Sequence, residues 1–424
     1  KHKKVLILTF GCRLNQADSA LIQGRLSKLG FKASNDKNDK IDLIVVNTCT
    51  VTASAAQKSR QALRRFRREH PSAVIAVTGC DTETNEDYWL KEGSADLVIP
   101  GSQKQNIDKY LLSQKKSTPD GKNIFSENVH AQFPFKSRPL LKIQEGCDCF
   151  CSFCIVPFAR GKPRSRNASE ITDEAKKLVD EGHKEIVLTG VNICRYKDGD
   201  INLLGIVERL LGIDADFRLR LSSTELDDQL RRIINIMKRG KRLCRFLHVP
   251  LQHGSDIILR KMKRPHLSAE FANFAEFAIS EIPGIHIGTD LICGLPGESE
   301  DIFEESLRFI SKIPFANIHI FRYSKREGTE AANFADLPKS SEVKMRMRRL
   351  ENVKRISQER FLLSQIGSKA TFIGEKKDRN GFVSGWSDNY IRTTLSASAP
   401  LEELLDIKFT SNNSDLSMQA EIVL

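Results

Sequence analysis

The sequence contains no apolar run close to the ~18 residues that cross a bilayer, holds only two tryptophans and five tyrosines, and shows no internal repeat. Its first ten residues begin with basic side chains, but the apolar part is six residues long and no small-residue cleavage site follows. The stretch reads as a strand rather than an export signal. That places the chain in a reducing, cytoplasmic setting, where ten cysteines point to metal or redox chemistry instead of disulfides.

What is present is chain enough for about three domains, 424 residues at roughly 150 each. Apolar residues make up 40% and the mean hydropathy is -0.34, values that fit neither a disordered polymer nor a membrane protein. Lys and Arg outnumber Asp and Glu by 66 to 54, a formal charge of +12, which favours a polyanionic partner such as nucleic acid.

Over residues 1–115, short β-branched runs at 5–10, 43–47, 74–78 and 97–100 alternate with amphipathic stretches, the pattern of a parallel sheet covered by helices. Residues 116–137, rich in small and polar side chains, read as a linker. A second αβ series fills 138–360, with strands expected at 140–144, 185–189, 218–222, 246–251, 286–293 and 317–323 and a basic helix over 341–360. Six strands with helical connections suit a full or partial βα barrel; an open doubly wound sheet satisfies the same periodicity. Residues 361–424 change texture to five short strands with Gly and Asn turns, a small β-barrel. The expected class is therefore α/β, ending in a β-barrel.

Two sets of cysteines carry chemistry. Cys147, Cys151 and Cys154 lie within eight residues, a loop able to grip three corners of an iron–sulfur cubane and leave the fourth iron open to substrate. A closed four-ligand zinc site completed by Cys149 is the alternative. Cys12, Cys49 and Cys80 are distant in sequence, yet each directly follows an apolar strand. In a parallel sheet all three thiols emerge at one edge, where such folds bind ligands, and each precedes a helix whose N-terminus favours a thiolate. Cys194, Cys244 and Cys293 show no comparable pattern and read as buried thiols.

The run Cys147-Asp-Cys-Phe-Cys151-Ser-Phe-Cys154 resembles the radical S-adenosylmethionine signature, with Phe153 as its aromatic residue. With Gly11-Cys-Arg-Leu-Asn15, Asn47-Thr-Cys-Thr-Val51, Pro250-Leu-Gln-His-Gly-Ser-Asp256 and Gly288-Thr-Asp-Leu-Ile-Cys-Gly-Leu-Pro-Gly-Glu298, nearly the whole chain is similar to the methylthiotransferase family. Gly-Cys-Arg-Leu-Asn is nearest the branch acting on threonylcarbamoyladenosine in tRNA. The isopentenyladenosine and ribosomal-protein branches share both cysteine sets, and a non-catalytic metal-containing RNA-binding protein is the alternative of another class.

The resemblance implies two [4Fe-4S] clusters. One, on Cys147, Cys151 and Cys154, would bind S-adenosyl-L-methionine and reduce it to a deoxyadenosyl radical that takes hydrogen from C2 of the adenine. The other, on Cys12, Cys49 and Cys80, would pass methylthio to that carbon. It further implies a radical SAM core at 138–360, a TRAM-like RNA-binding domain at 361–424, an electron donor such as flavodoxin or ferredoxin, and a sulfur source. By the same resemblance Phe153, Thr189, Gly190, Ser222 and Gln252 contact the cofactor. Three positions depart from the family pattern: Cys149 and Lys263 each stand where Asn is usual, and Asp81-Thr-Glu follows Cys80 where Tyr-Ala-Gln is common.

Basic residues cluster near both cysteine sets. Arg60 and Arg64, with Arg67 and Arg68, share one face of the helix after Cys49, and Arg160, Arg164 and Arg166 follow Cys154. Such runs are usually solvated faces; their placement makes them candidate RNA contacts. Residues 361–424 hold more acidic than basic side chains, so RNA binding there would rest on Lys376 and Arg392, helped by stacking on Trp386 or Tyr390.

Overall fold

The structure is a computed structural model that describes residues 3–36, 39–113, 131, 133, 137–395 and 399–423. The expected linker lies outside the described residues apart from 131, 133 and 137.

In the amino-terminal part, Lys3–Thr9, Leu43–Thr48 and Val74–Gly79 run parallel, with Val5 opposite Leu43 and Leu43 opposite Val74. Leu43–Thr48 is buried along its whole length, as a central parallel strand covered on both faces must be. Leu97–Val98 closes one edge and Phe31–Ala33 the other. That last strand has only three residues, too few for an alternation to register in the sequence. The sheet order reverses between Lys3–Thr9 and Leu43–Thr48, and crevices at such reversals are where open αβ sheets bind ligands.

The second part settles the choice left open by periodicity. Leu140–Lys142, Glu185–Thr189 and Arg218–Leu221 form one parallel set, and Phe246–His248, His286–Cys293 and Asn317–Arg322 another. Parallel bridges Leu219↔Leu243 and Ser223↔His248 join them. All six strands neighbour one another in chain order, the winding of a barrel; a doubly wound sheet would reverse direction. The first and last strands do not pair, so the barrel is an open arc. Strand parity divides its faces: Leu219 and Leu221 pack outward in the helix-covered core, whereas Arg218 and Arg220 point inward.

The last part is a closed five-stranded barrel, Lys369–Lys377, Val383–Ser387, Arg392–Leu395, Met418–Ile422 and Leu404–Asn412 in spatial order, around Phe372, Ile407, Phe409 and Met418. Its docking is polar and specific. Arg218 donates to Thr371 O at 2.8 Å and Trp386 O at 2.9 Å, Arg220 to Ser387 O and Asp388 O at 2.9 Å, and both guanidinium groups share buried Glu185. The turn ending at Tyr390 thereby enters the arc. Tyr390 adopts a left-handed backbone (φ 59°), a strained geometry for a bulky residue that its packing holds in place. Among the described residues no helix is long and apolar enough to cross a membrane.

Candidate active site

Three strand ends converge at the sheet reversal. Cys12 starts the helix Arg13–Lys28, Cys49 ends the strand Leu43–Thr48, and Cys80 opens the short helix Cys80–Thr84. Asn15 ties the loops together: its amide donates to Phe10 O and Thr48 O at 2.8 Å, and its carbonyl accepts from the Cys80 thiol at 3.8 Å. Thr48 Oγ1 donates to Thr78 O at 2.7 Å and accepts from the Asp81 amide. Gly11 (φ +89°) lets Cys12 and Cys49 approach, since a Cβ there would lie 2.5 Å from Cys49 Sγ. Burial pushes the Cys49 thiol up to about 12 and raises that of Cys80. Buried sulfur of this kind ionises only against a bound cation; with the exposed Cys12, these thiols are a donor set that could hold an iron cluster by three protein ligands. Asp81, one of the departures from the family pattern, is buried and accepts from Trp89 Nε1 at 3.2 Å and Asn85 at 2.9 Å, a structural role that shapes the loop after Cys80.

Cys147, Cys151 and Cys154 sit in the loop after the first strand of the arc. Gly146 (φ +78°) starts it pressed against the chain at Lys162, where a Cβ would lie 2.1 Å from the carbonyl oxygen, and the Cys147 amide donates to Gly161 O. The Cys154 amide closes a turn on Cys151 O at 2.9 Å. Arg264 donates to Cys151 Sγ at 3.5 Å while held by Glu225 at 2.6 Å. Burial lifts the Cys151 thiol and pushes that of Cys154 up to about 12. Cys149 lies beside Cys147, its amide donating to Cys147 Sγ, and Asn192 donates to its sulfur at 3.9 Å. Phe153 packs among Ile258, Met262 and Leu295, anchoring the loop from behind rather than lining the cavity in front of it. Cys194, Cys244 and Cys293 are buried, as expected.

Between these loops lies one cavity of about 660 Å³. Cys12, Cys49 and Cys80 form one wall, and Ile155 and Val156, directly after Cys154, form another. Thr189, Gly190, Ser222 and Gln252, all expected at the cofactor, line it from the ends of the arc strands. Gln252 sits in a left-handed conformation (φ 75°), clamped by backbone bonds to Asp290 and Ile292 at 2.8 Å. Sequence reasoning missed the polar floor. Asp290 Oδ1 accepts from His248 Nε2 at 2.9 Å and His319 Nδ1 at 3.2 Å, and its carboxyl lies far below the usual range through those bonds. An acidic residue within the mostly buried strand His286–Cys293 was the available signal. Tyr390 also reaches this cavity, brought by the carboxy-terminal barrel.

The chain matches two family models: residues 4–100 match "Uncharacterized protein family UPF0004", and residues 141–310 match "Radical SAM superfamily". It is 33% identical, over 91% of its length and 89% of theirs, to the Threonylcarbamoyladenosine tRNA methylthiotransferase MtaB of Bacillus subtilis. The protein of that name from Thermotoga maritima is 30% identical over 99% of this chain and 98% of its own. The tRNA-2-methylthio-N(6)-dimethylallyladenosine synthase of Bartonella bacilliformis is 32% identical over 97% of this chain and 95% of its own. The chain belongs to the radical S-adenosylmethionine tRNA methylthiotransferase family. In fold it is similar to a radical S-adenosylmethionine methyltransferase from Kitasatospora setae, with TM-score 0.55 and 12% identity over 76% of this chain and 73% of that one. Membership makes the protein a methylthiotransferase using S-adenosylmethionine and a [4Fe-4S] cluster, which sets aside the non-catalytic zinc reading.

For this methylthiotransferase most basic candidates near the cysteines are not free cations. Arg160 and Arg166 are buried: Arg160 is bonded to Asp18 at 3.2 Å and Glu145 at 2.8 Å, and Arg166 to Glu174 at 2.6 Å. Arg164 is half-buried and turned toward Arg160 O and Glu145. Arg160 secures the interface between the sheet and the arc, while Arg164 and Arg166 are held by partners within the arc, so all three are withdrawn as RNA contacts. Arg60 and Arg64 are paired with Asp81 (3.2 Å) and Glu92 (2.8 Å), fastening their helix to the next segment. The sequence run hid these partners because each lies more than twenty positions away. Trp386 and Tyr390 stack on each other with centroids 4.5 Å apart, and Tyr390 packs on Phe246 at 4.8 Å, so neither is an open platform for bases. Lys376 and Arg392 are exposed.

Proposed function

We propose that this protein replaces the hydrogen on C2 of N6-threonylcarbamoyladenosine, next to the anticodon in tRNA, with a methylthio group. The observation that carries the reading is the single cavity walled by Cys12, Cys49 and Cys80 on one side and by Thr189, Gly190, Ser222 and Gln252 on the other. One cysteine trio on the wall of this chamber, with Ile155 and Val156 of the second cysteine loop on another, suits a reaction that activates a carbon and then delivers sulfur to it. Cys147, Cys151 and Cys154 would hold the cluster that binds S-adenosylmethionine, and Cys12, Cys49 and Cys80 a second one. When bound, these groups supply the electron, the hydrogen-abstracting radical and the methylthio group.

The residues of this chain orient and enclose. Ser222, Thr189 and Gln252 offer hydroxyl and amide groups to the cofactor from fixed strand ends, and Gly190 leaves room beside Gln144. The threonylcarbamoyl substrate is favoured over isopentenyladenosine by the polar floor of His248, Asp290 and His319, which suits a ureido, hydroxyl and carboxylate group better than a hydrocarbon. The likeness to the threonylcarbamoyladenosine tRNA methylthiotransferase of Bacillus subtilis supports the same choice. Lys376 and Arg392 on the TRAM-like barrel are the remaining candidate tRNA contacts. A cytoplasmic location, a flavodoxin or ferredoxin donor, and a separate sulfur source complete the proposal.

The test is mass spectrometry of tRNA nucleosides from cells with and without the gene. Loss of methylthio-threonylcarbamoyl adenosine is expected, and an unchanged profile rejects the assignment. Anaerobic reconstitution should give about eight irons per chain. Cys151→Ala should abolish S-adenosylmethionine cleavage, whereas Cys12→Ala should keep cleavage and lose the methylthio product.

A further inference from the structure

Among the described residues no acid answers Arg13. It follows Cys12 directly and lines the cavity beside that cysteine. The other arginine on the cavity wall, Arg160, is saturated by Asp18, Glu145 and Asn15. Arg13 has one hydrogen bond, Nη2 to the Tyr390 hydroxyl at 2.6 Å, and its guanidinium lies 5.3 Å from that ring. Among the described residues no carboxylate is within ion-pair distance of it. Asp290, the carboxylate lining the chamber, is occupied by His248 and His319. Arg13 is also the first residue of a sixteen-residue helix, whose positive end adds to its field.

We infer that Arg13 is the anchor for a carboxylate carried by the N6 substituent of the target adenosine, with Tyr390 of the carboxy-terminal barrel holding the guanidinium in place. The inference rests on the proposed substrate. A planar guanidinium beside an apolar ring binds carboxylates through paired N–H donors. The chemistry of the substituent agrees. The ureido N–H of an N6-carbamoyladenine closes a six-membered hydrogen-bonded ring on N1, which lays the amino-acid portion along the edge that carries C2. Gripping its carboxylate at Arg13 therefore presents C2 toward the wall that holds Cys12, Cys49 and Cys80.

An RNA phosphate is the other source of an anion here, because Arg13, Gln16 and Tyr390 also line a neighbouring cavity of about 550 Å³ that includes Lys376. Binding of anticodon stem-loop RNAs to the full-length reconstituted protein, without S-adenosylmethionine, separates the two. One stem-loop carries threonylcarbamoyladenosine and the other plain adenosine. The wild type should prefer the modified RNA. Arg13→Gln should reduce affinity for the modified RNA by about tenfold or more and leave the plain RNA unchanged, Arg13→Lys should keep part of the preference, and Tyr390→Phe should weaken it less than Arg13→Gln does. Equal weakening of both RNAs by Arg13→Gln assigns the contact to phosphate and overturns the inference, as does no weakening of either. In a companion turnover assay with S-adenosylmethionine and a reductant, a wild type that methylthiolates the modified RNA without binding it preferentially overturns the inference and leaves the proposed substrate intact. Absence of product on that RNA removes the substrate itself.

Discussion

Arg160, six residues beyond Cys154, donates to Asp18, six residues beyond Cys12, at 3.2 Å. The segments that follow Cys12 and Cys154 are thus joined by a buried contact. Lys104 and Lys142 reach the same carboxylate at 2.9 and 2.5 Å, and Glu145 completes the set. Three cations face two carboxylates out of water, which leaves one positive charge beside Cys80 and Cys12. Removing one member of such a set strands the others, at a cost of about 3–5 kcal/mol. Asp18→Asn should lower the stability of the sheet by about 3 kcal/mol, and Arg160→Gln, which leaves two lysines against two acids, should cost less. Urea unfolding curves compare them, and equal losses would contradict the charge argument.

The network also sets an acid limit. Its cations outweigh the burial penalty and hold Asp18 at about 2. The unfolded carboxylate titrates near ~3.9, so the stabilisation is complete above that value and is lost as pH falls from about 4 to about 2. In Asp18→Asn this part of the acid transition should flatten; an unaltered transition measured by circular dichroism would refute the link.

A second pH dependence comes from His286, buried where the barrel turn enters the arc. Burial lowers its imidazole to about 3, and its ring nitrogen lies 3.1 Å from Asn389 O. The unfolded chain takes up the proton near ~6.5 while the folded one refuses it, so stability should fall below pH 6.5 with a slope of up to roughly 1.4 kcal/mol per pH unit. His286→Asn keeps a donor at that position and should reduce the slope. Denaturation curves between pH 4 and 8 on both proteins decide it.

Gly11→Ala should separate folding from cluster assembly. The added methyl would meet Cys49 Sγ, while Gly30 (φ +84°) has open space around it. Gly11→Ala should drop the iron count from about eight to about four per chain with helix content intact, and Gly30→Ala should keep about eight. Full iron in Gly11→Ala would show that the Gly11 approach is dispensable.

Glu185→Gln should loosen the carboxy-terminal barrel. Its carboxylate accepts from Arg218 Nε at 2.6 Å and Arg220 Nε at 2.7 Å, and those guanidinium groups reach across to the barrel carbonyls. Without that charge two buried cations lose their counter-ion, worth about 3–5 kcal/mol. Limited trypsin digestion should release the barrel from the variant faster than from the wild type; identical digestion would place the docking energy elsewhere.

Strand positions and cysteine placement were legible in the sequence because both are local: an apolar run ending in cysteine fixes a thiol at a sheet edge once the strands are parallel. Partner identity was not local. Arg160 and Arg166 looked like a basic patch because their acids come from other elements, and Arg60 and Arg64 for the same reason. Lys263, where Asn was expected, adopts a left-handed backbone (φ 56°), the conformation Asn tolerates best, so that departure was a backbone signal rather than a chemical one. The insertion of Tyr390 into the arc left no periodic trace, since one turn between two barrel strands carries it.

That turn fixes a distance. The turn Ser387 to Tyr390 belongs to the barrel by its strands, is held to the arc through the carbonyls of Ser387 and Asn389, and reaches the reaction chamber through Tyr390. With tRNA held at the proposed contacts Lys376 and Arg392, this turn would register it against the chamber as on a caliper, so that the nucleotide acted on is the one at the set spacing from the grip.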